Sequence, residues 1–437
     1  MTGSVWSSPL GVWLRSMVDD DVGALPSLAR AVEAVRRELD KVPVLGVLFI
    51  RVERWGDAYR LFGWHGAEAA YEALTSTTVD MAGSGLRRLD LPADLGLRGE
   101  GFAIVLSASR SSDIPTHSQI DMVAERLAVI ARERLVEKVP ASLAERLSVE
   151  VGAGLIRRPE GEATLENTLV AGLVEAEEAA RLKQQRRCEE RGTRLRQALA
   201  SGSLAAVYQP IVETVGGQVV GFDAQLEGPS HHGLDLGDVV FDVAGRTGQA
   251  RDVHEAYHER ALACAEGVLE GRDLLVLRVG LSELVESAVR VMAMLYGWQK
   301  CTLTPTNVVF LVDAGRLSQH FPTSLAAARS VAEMGFKLAV DVSADSLPPF
   351  DELQELNVDL VRVGGRLVRD LQRHQDEFEL VLMLTRFAGR HGARVLAADC
   401  AQRTEAVALR KAGVNLVQGD HISPSSPRPL RPDTILP

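Results

Sequence analysis

Residues 337–363 read KLAVDVSADSLPPFDELQELNVDLVRV. Two short apolar strand candidates, 337–342 and 360–363, bracket a loop and a helical segment. The same strand-then-helix unit recurs on both sides of it. Further strand candidates fall at 205–208, 219–224, 274–279, 308–312, 394–397 and 416–417, with helical segments between most of them. Parallel strands joined by crossover helices over roughly 230 residues predict a (β/α)8 TIM-type barrel. In such a barrel the working side chains stand at the C-terminal ends of the strands, so those positions decide function.

Upstream of residue 201 the pattern differs. Leu28, Val32, Val35 and Leu39 recur at helical spacing before Pro43. Residues 44–52 (VLGVLFIRV) are a continuous apolar run, as expected of a strand buried on both faces. A helix over 66–82, a strand pair around 95–107, a helix over 121–137 and a strand over 148–155 follow. That alternation predicts an α/β domain with a central sheet flanked by helices. Residues 164–200 are helical and densely charged, with Gly192 as the expected break. The arginine-rich stretch from Arg181 to Arg196 reads as a solvated helix face. The organisation expected is an N-terminal segment over 1–24, a first domain over 25–165, a helical connector over 166–200 and the barrel over 201–437.

Composition narrows the function classes. With 46% hydrophobic and 24% charged residues, each domain has material for an ordinary core. A net charge of −11 argues against nonspecific nucleic-acid binding. No apolar run reaches the roughly 18 residues of a membrane span. The start of the chain carries Trp6, Leu10, Val12, Trp13 and Met17 but no basic leader, and reads as a docking segment or as packing on the first domain. Cys188, Cys264, Cys301 and Cys400 form no C-x-x-C pair and have no histidine cluster beside them. Reduced, mostly buried thiols in a cytoplasmic protein are expected, with no zinc site.

Four motifs in order give the second half a family resemblance. Val207-Tyr208-Gln209-Pro210-Ile211-Val212 resembles the YQPIV opening of the EAL family of cyclic-di-GMP phosphodiesterases. Gly221-Phe222-Asp223-Ala224-Gln225-Leu226 stands where that family has G-[YF]-E-A-L-L. Val358-Asp359-Leu360-Val361-Arg362-Val363 is similar to its VDxLKID strand, and Leu416-Val417-Gln418-Gly419 to its LVQGY ending. The first half resembles the GGDEF family of diguanylate cyclases more faintly. Residues 48–63 (LFIRVERWGDAYRLFG) look like its metal-binding strand and following helix. Arg98-Gly99-Glu100-Gly101-Phe102 takes the place of the signature turn, and Val149-Glu150-Val151-Gly152 is similar to a later strand.

The resemblance also exposes what is missing. EAL enzymes hydrolyse a phosphodiester with two divalent ions held by carboxylates, which activate a bridging water. Here the motif Glu is Asp223, the expected Asn is Gly280 and the next strand's Glu is Leu311. Of an Asp pair, Asp341 remains and Val342 follows. The Lys is Arg362, its Asp is Gly364, and two later Glu positions are Ala398 and Ala401. The phosphate-contacting Arg is Glu227, and the family's mouth loop is replaced by residues 342–346. Gln209, Asp223, Asp341 and Gln418 are the residues left to bind a ligand. In the first half the metal Asp is Arg51, the guanine-reading pair falls on Tyr59 and Arg60, and a late Lys is Glu177. Arg87-Arg88-Leu89-Asp90 is a displaced version of an inhibitory RxxD motif.

The resemblance therefore implies a catalytically inactive GGDEF–EAL pseudoenzyme without cofactor or metal. It would act as a signalling scaffold through another protein of a bacterial signalling, motility or polarity system. Self-association is common in both families. The site changes weigh against cyclic-di-GMP as ligand, though a non-catalytic receptor and a weak metal-dependent phosphodiesterase are the competing readings. Isolated features take bland explanations: His231, His232 and His421 as surface histidines, Trp55 as core, and Asp341 as a strand-end hydrogen-bonding group. Gly83-Ser84-Gly85 lacks a dinucleotide loop's context, and Ser343 and Ser346 lack triad partners.

Overall fold

The apolar run after Pro43 forms β1 (Val44–Glu53), an interior strand of a four-stranded sheet. The computed structural model describes residues 28–80, 90–94, 101–107, 114–144, 146–229, 233–297, 302–343, 347–369 and 371–431. In this sheet β1 pairs antiparallel with β3 (Gly101–Val105) and β4 (Ser148–Arg157), while β2 (Leu91–Asp94) lies beyond β3. One face packs Val47, Phe49, Ala103, Val105 and Ile156 against Leu169, Leu173, Ala176 and Ala180 of a long helix. The helix expected over 66–82 runs from Trp55 to Asp80. Gly56, Gly63 and Gly66 disguise its first turns as a loop, but buried Trp55 and Ala58 anchor them. Helix His117–Lys138 starts at a capping box in which Thr116 and Gln119 satisfy each other's backbone N–H groups.

The chain divides into two compact units between Cys188 and Glu189, inside helix Leu165–Ser201. No break occurs at Gly192. A Cβ there would stand 2.6 Å from Cγ2 of Thr247, so glycine serves a close approach rather than a helix end. The connector expected over 166–200 lies within this helix. Leu165 to Ala180 belong to the first unit's core, and Leu195 and Ala198 to the second's. The charge run on this helix is not wholly solvated either. Lys183 bonds Asp121 and the Val151 carbonyl, at 3.1 and 3.0 Å, and Arg187 reaches the buried Glu150 at 2.9 Å.

In the second unit eight strands close into a barrel. They are β5 (Ala205–Glu213), β6 (Val219–Glu227), β7 (Leu274–Arg278), β8 (Val308–Asp313), β9 (Lys337–Val342), β10 (Leu360–Val363), β11 (Arg394–Ala397) and β12 (Leu416–Val417). The strands from β6 round to β12 are parallel neighbours, but β5 runs antiparallel to both β6 and β12. The expected eight-strand α/β barrel is present, and the parallel arrangement is corrected only at β5. The short connection from Glu213 to Val219 is a hairpin, far below the dozen or so residues a parallel crossover needs. Ile211, Val276, Val309, Leu311, Ala339, Leu360, Leu396 and Leu416 fill the barrel interior. The opposite side of each strand packs on the helices.

No helix among the described residues is long and apolar enough to cross a membrane. Cys400 is buried, Cys188 half-buried and Cys264 exposed, so the expectation of mostly buried thiols is corrected for Cys264. Burial, with Glu405 nearby, pushes the Cys400 thiol up to about 12.

Candidate functional site

Side chains alternate across a strand, so the interior position one step nearer the rim lies two residues from each core residue. Those positions are Gln209, Asp223, Arg278, Leu311, Asp341, Arg362, Ala398 and Gln418, one from each strand or its end. Three of the four ligand candidates meet there. Gln418 Nε2 donates to Asp223 Oδ2 at 2.8 Å, and Gln225 Nε2 approaches the same oxygen at 3.3 Å. Arg362 joins the two carboxylates: Nη1 donates to Asp341 Oδ2 at 3.1 Å, and Nη2 lies 3.7 Å from Asp223 Oδ2. Gln209 turns away, donating to Asp420 and to the Ser423 carbonyl at 3.1 and 3.2 Å.

Arg278 completes the cluster, and the sequence reading missed it. Its Nη2 donates to Asp341 Oδ2 at 2.7 Å. On β7 it pairs in register with Leu311 of β8, so its side chain passes that leucine to reach β9. The available signal was an arginine ending the buried strand Leu274–Arg278. Arg362 is only 12% exposed, whereas Arg278 is 37% exposed. Burial works against the Arg362 charge. The carboxylates of Asp341, Asp223 and Asp399 outweigh it and hold the guanidinium above its ordinary value.

Helix Ala250–Ala265 supports these strand ends. The buried Tyr257 hydroxyl donates to the Ala224 carbonyl and accepts from the Arg278 N–H at 3.4 Å. His258 Nε2 donates to the Arg278 carbonyl at 3.0 Å. His254 Nε2 accepts from the Gly280 N–H at 3.1 Å, which places its proton on a buried Nδ1. Burial drives both histidines down, His254 to about 3 and His258 to about 4.

Residues 193–425 match the EAL domain family. The chain belongs to the EAL domain family. No curated protein matches it. Among solved structures, the FimX EAL domain from Pseudomonas aeruginosa bound to c-di-GMP is 18% identical, covering 53% of this chain and 95% of that one at a TM-score of 0.47. The EAL enzyme Bd1971 in its cAMP-bound form is 14% identical over 64% of this chain and 78% of its own, at a TM-score of 0.50. A Vibrio cholerae LapD S helix-GGDEF-EAL structure is 14% identical over 93% and 96%, at 0.47.

The site of this EAL domain does not fit a pair of divalent ions. Asp223 and Asp341 already hold guanidinium groups, and β8, the strand between β7 and β9, contributes the apolar Leu311 to the interior. No three His, Cys, Asp or Glu side chains converge as a metal site among the described residues. The space a Cβ at Gly280 would take is filled by the Glu283 carboxylate. Val342 does not line the mouth; it packs in the layer between strands and helices. Ala401 offers its N–H to Glu405 at 2.8 Å.

In the first unit Arg51 pairs in register with Gly101 and Glu150 on the flanking strands. Its Nε donates to Gln184 at 3.0 Å and its Nη1 lies 3.6 Å from Glu177, so two oppositely charged side chains face each other. Phe102 is buried beside Tyr71, and Asp90 accepts from Ser107 at 2.7 Å. Arg98, Gly99, Glu100, residues 83–85, 87–89, 231–232 and 344–346 lie outside the described residues, as do the side chains of Tyr59 and Arg60.

Proposed function

We propose that this EAL-domain chain is a catalytically inactive GGDEF–EAL protein of cyclic-di-GMP signalling that works as a scaffold by binding other proteins. The observation that supports it is the charge closure at the barrel mouth. Phosphodiester hydrolysis in this family calls for a metal-activated water. The carboxylates that would recruit the ions are committed to Arg362, Arg278 and Gln418. A guanidinium cannot serve as a general base at neutral pH. The first unit is read as the degenerate GGDEF-like member, because Arg51 takes the place of a metal-binding Asp. The partner class proposed is a protein of a bacterial signalling, motility or polarity system.

A second reading, a cyclic-di-GMP receptor without turnover, is favoured by one observation. Arg278 spends one amino group on Asp341 and is 37% exposed, which leaves it able to fork onto a phosphate. Calorimetric titration with cyclic-di-GMP in Mg²⁺ separates the two. The scaffold reading expects no saturable heat; micromolar or tighter binding that Arg278→Ala removes would replace it with the receptor.

A further inference from the structure

The barrel mouth presents a disagreement between donor set and family chemistry. Asp223 and Asp341 are two largely buried carboxylates on β6 and β9. Charges that have lost most of their water are costly to bury unless a cation lies beside them. A metal site would supply oxygen ligands around an ion at about 2.1 Å. Here nitrogen donors are at hydrogen-bonding distance instead. Arg362 spans the two acids from β10, with its amino groups 3.1 Å from one and 3.7 Å from the other. Arg278 adds a second positive charge to Asp341 from β7. Two arginines therefore face Asp223 and Asp341, with the carboxylate of Asp399 also acting on Arg362.

We infer that Arg362 and Arg278 are the built-in cations of this mouth: their guanidinium groups take the place of metal ions between Asp223 and Asp341, and removing both turns the two carboxylates into a site for a divalent cation. This deepens the non-catalytic reading of the same site. The replacement has local logic. Leucine at position 311 adds no carboxylate and gives Arg278 an apolar surface to cross. Glycine at 280 leaves its space to Glu283. The backbone of Arg278 is pinned by Tyr257 and His258, so the arginine is directed by the fold and not only by its charge.

The test uses the full chain, Arg362→Ala, Arg278→Ala/Arg362→Ala, and the double variant carrying Asp223→Asn. Thermal melting and the electron paramagnetic resonance signal of free Mn²⁺ are followed as MnCl₂ is added. The wild type is expected to keep its Tm and leave Mn²⁺ free. The double variant is expected to melt lower, to recover part of the loss in Mn²⁺, and to deplete the free-Mn²⁺ signal saturably; Asp223→Asn removes that response. Methylguanidinium is expected to raise the Tm of Arg362→Ala, and this rescue together with the wild-type titration decides the matter if the double variant does not fold. Saturable Mn²⁺ uptake by the wild type, or an Arg362→Ala protein that melts like the wild type and ignores methylguanidinium, overturns the inference. Neither signal reads turnover or nucleotide binding, so the scaffold reading can fail while this inference stands, and the reverse.

Discussion

In the barrel one arginine lies between two carboxylates; in the first unit one carboxylate lies between two arginines. Glu150 on β4 receives Arg132 Nη2 and Arg187 Nε, each at 2.9 Å. The carboxylate is 5% exposed, while Arg132 and Arg187 keep 28% and 33% of their side chains in solvent. At the mouth the central Arg362 is itself the buried member. The balance of forces differs as well. Burial raises the Glu150 pKa in spite of Arg132 and Arg187, whereas at Arg362 the carboxylates outweigh burial. Two part-solvated cations compensate an inner carboxylate incompletely, because water screens them. At the inner guanidinium of Arg362 the carboxylates of Asp341, Asp223 and Asp399 together outweigh burial. Loss of the centre is therefore expected to be tolerated in the first triad and costly in the second.

The largest expected effect follows directly. Arg362→Ala leaves Asp223 without its cation and should cost the barrel about 3–5 kcal/mol. Glu150→Gln leaves two arginines that can turn to water, and should cost only about 1 kcal/mol. Urea unfolding of both variants makes the comparison, and equal losses break it. Acid should weaken the barrel next. His254 and His258 ordinarily titrate near 6.5 and are held down to about 3 and about 4 in the fold, so the unfolded chain binds protons first. Their contribution is fully present above 6.5 and is lost as pH falls toward those folded values, by about 1.4 kcal/mol per pH unit for each group. The slope of Tm against pH between 6.5 and 4.5 should shrink in His254→Gln; an unchanged slope removes His254 from the account.

Smaller effects sharpen the picture. Tyr257→Phe removes one buried hydroxyl that serves both Ala224 and Arg278, at a cost of about 1–2 kcal/mol. It should also loosen Arg278, read as faster hydrogen exchange at its amide. Arg51→Ala in the first unit should cost about 1 kcal/mol, because its ion pair with Glu177 is about one-third exposed and contributes little, while the buried Gln184 loses its Nε donor. A larger loss there would mean that the two arginine sites are more alike than their burial indicates.

Much of this fold was legible because each barrel strand is a short apolar run between polar loops. The direction of β5 was not: the strand was ended at 208 although it runs to Glu213, so the hairpin to Val219 looked like a longer connection. Helix Trp55–Asp80 was shortened because its glycines look like punctuation. Asp223, Asp341, Arg362 and Gln418 stood out because they occupy motif positions. Arg278 did not, since its role lies in reaching past Leu311 to another strand. Val342 follows Asp341 in the sequence yet packs away from the mouth, as neighbouring strand residues point to opposite faces.

The most direct measurement is chromatographic. Cyclic-di-GMP is incubated with the full chain in Mg²⁺ or Mn²⁺, and linear dinucleotide is quantified against a protein-free blank. The account predicts no product above the blank, from the wild type or from Asp223→Asn. Metal-dependent product that Asp223→Asn abolishes would contradict it.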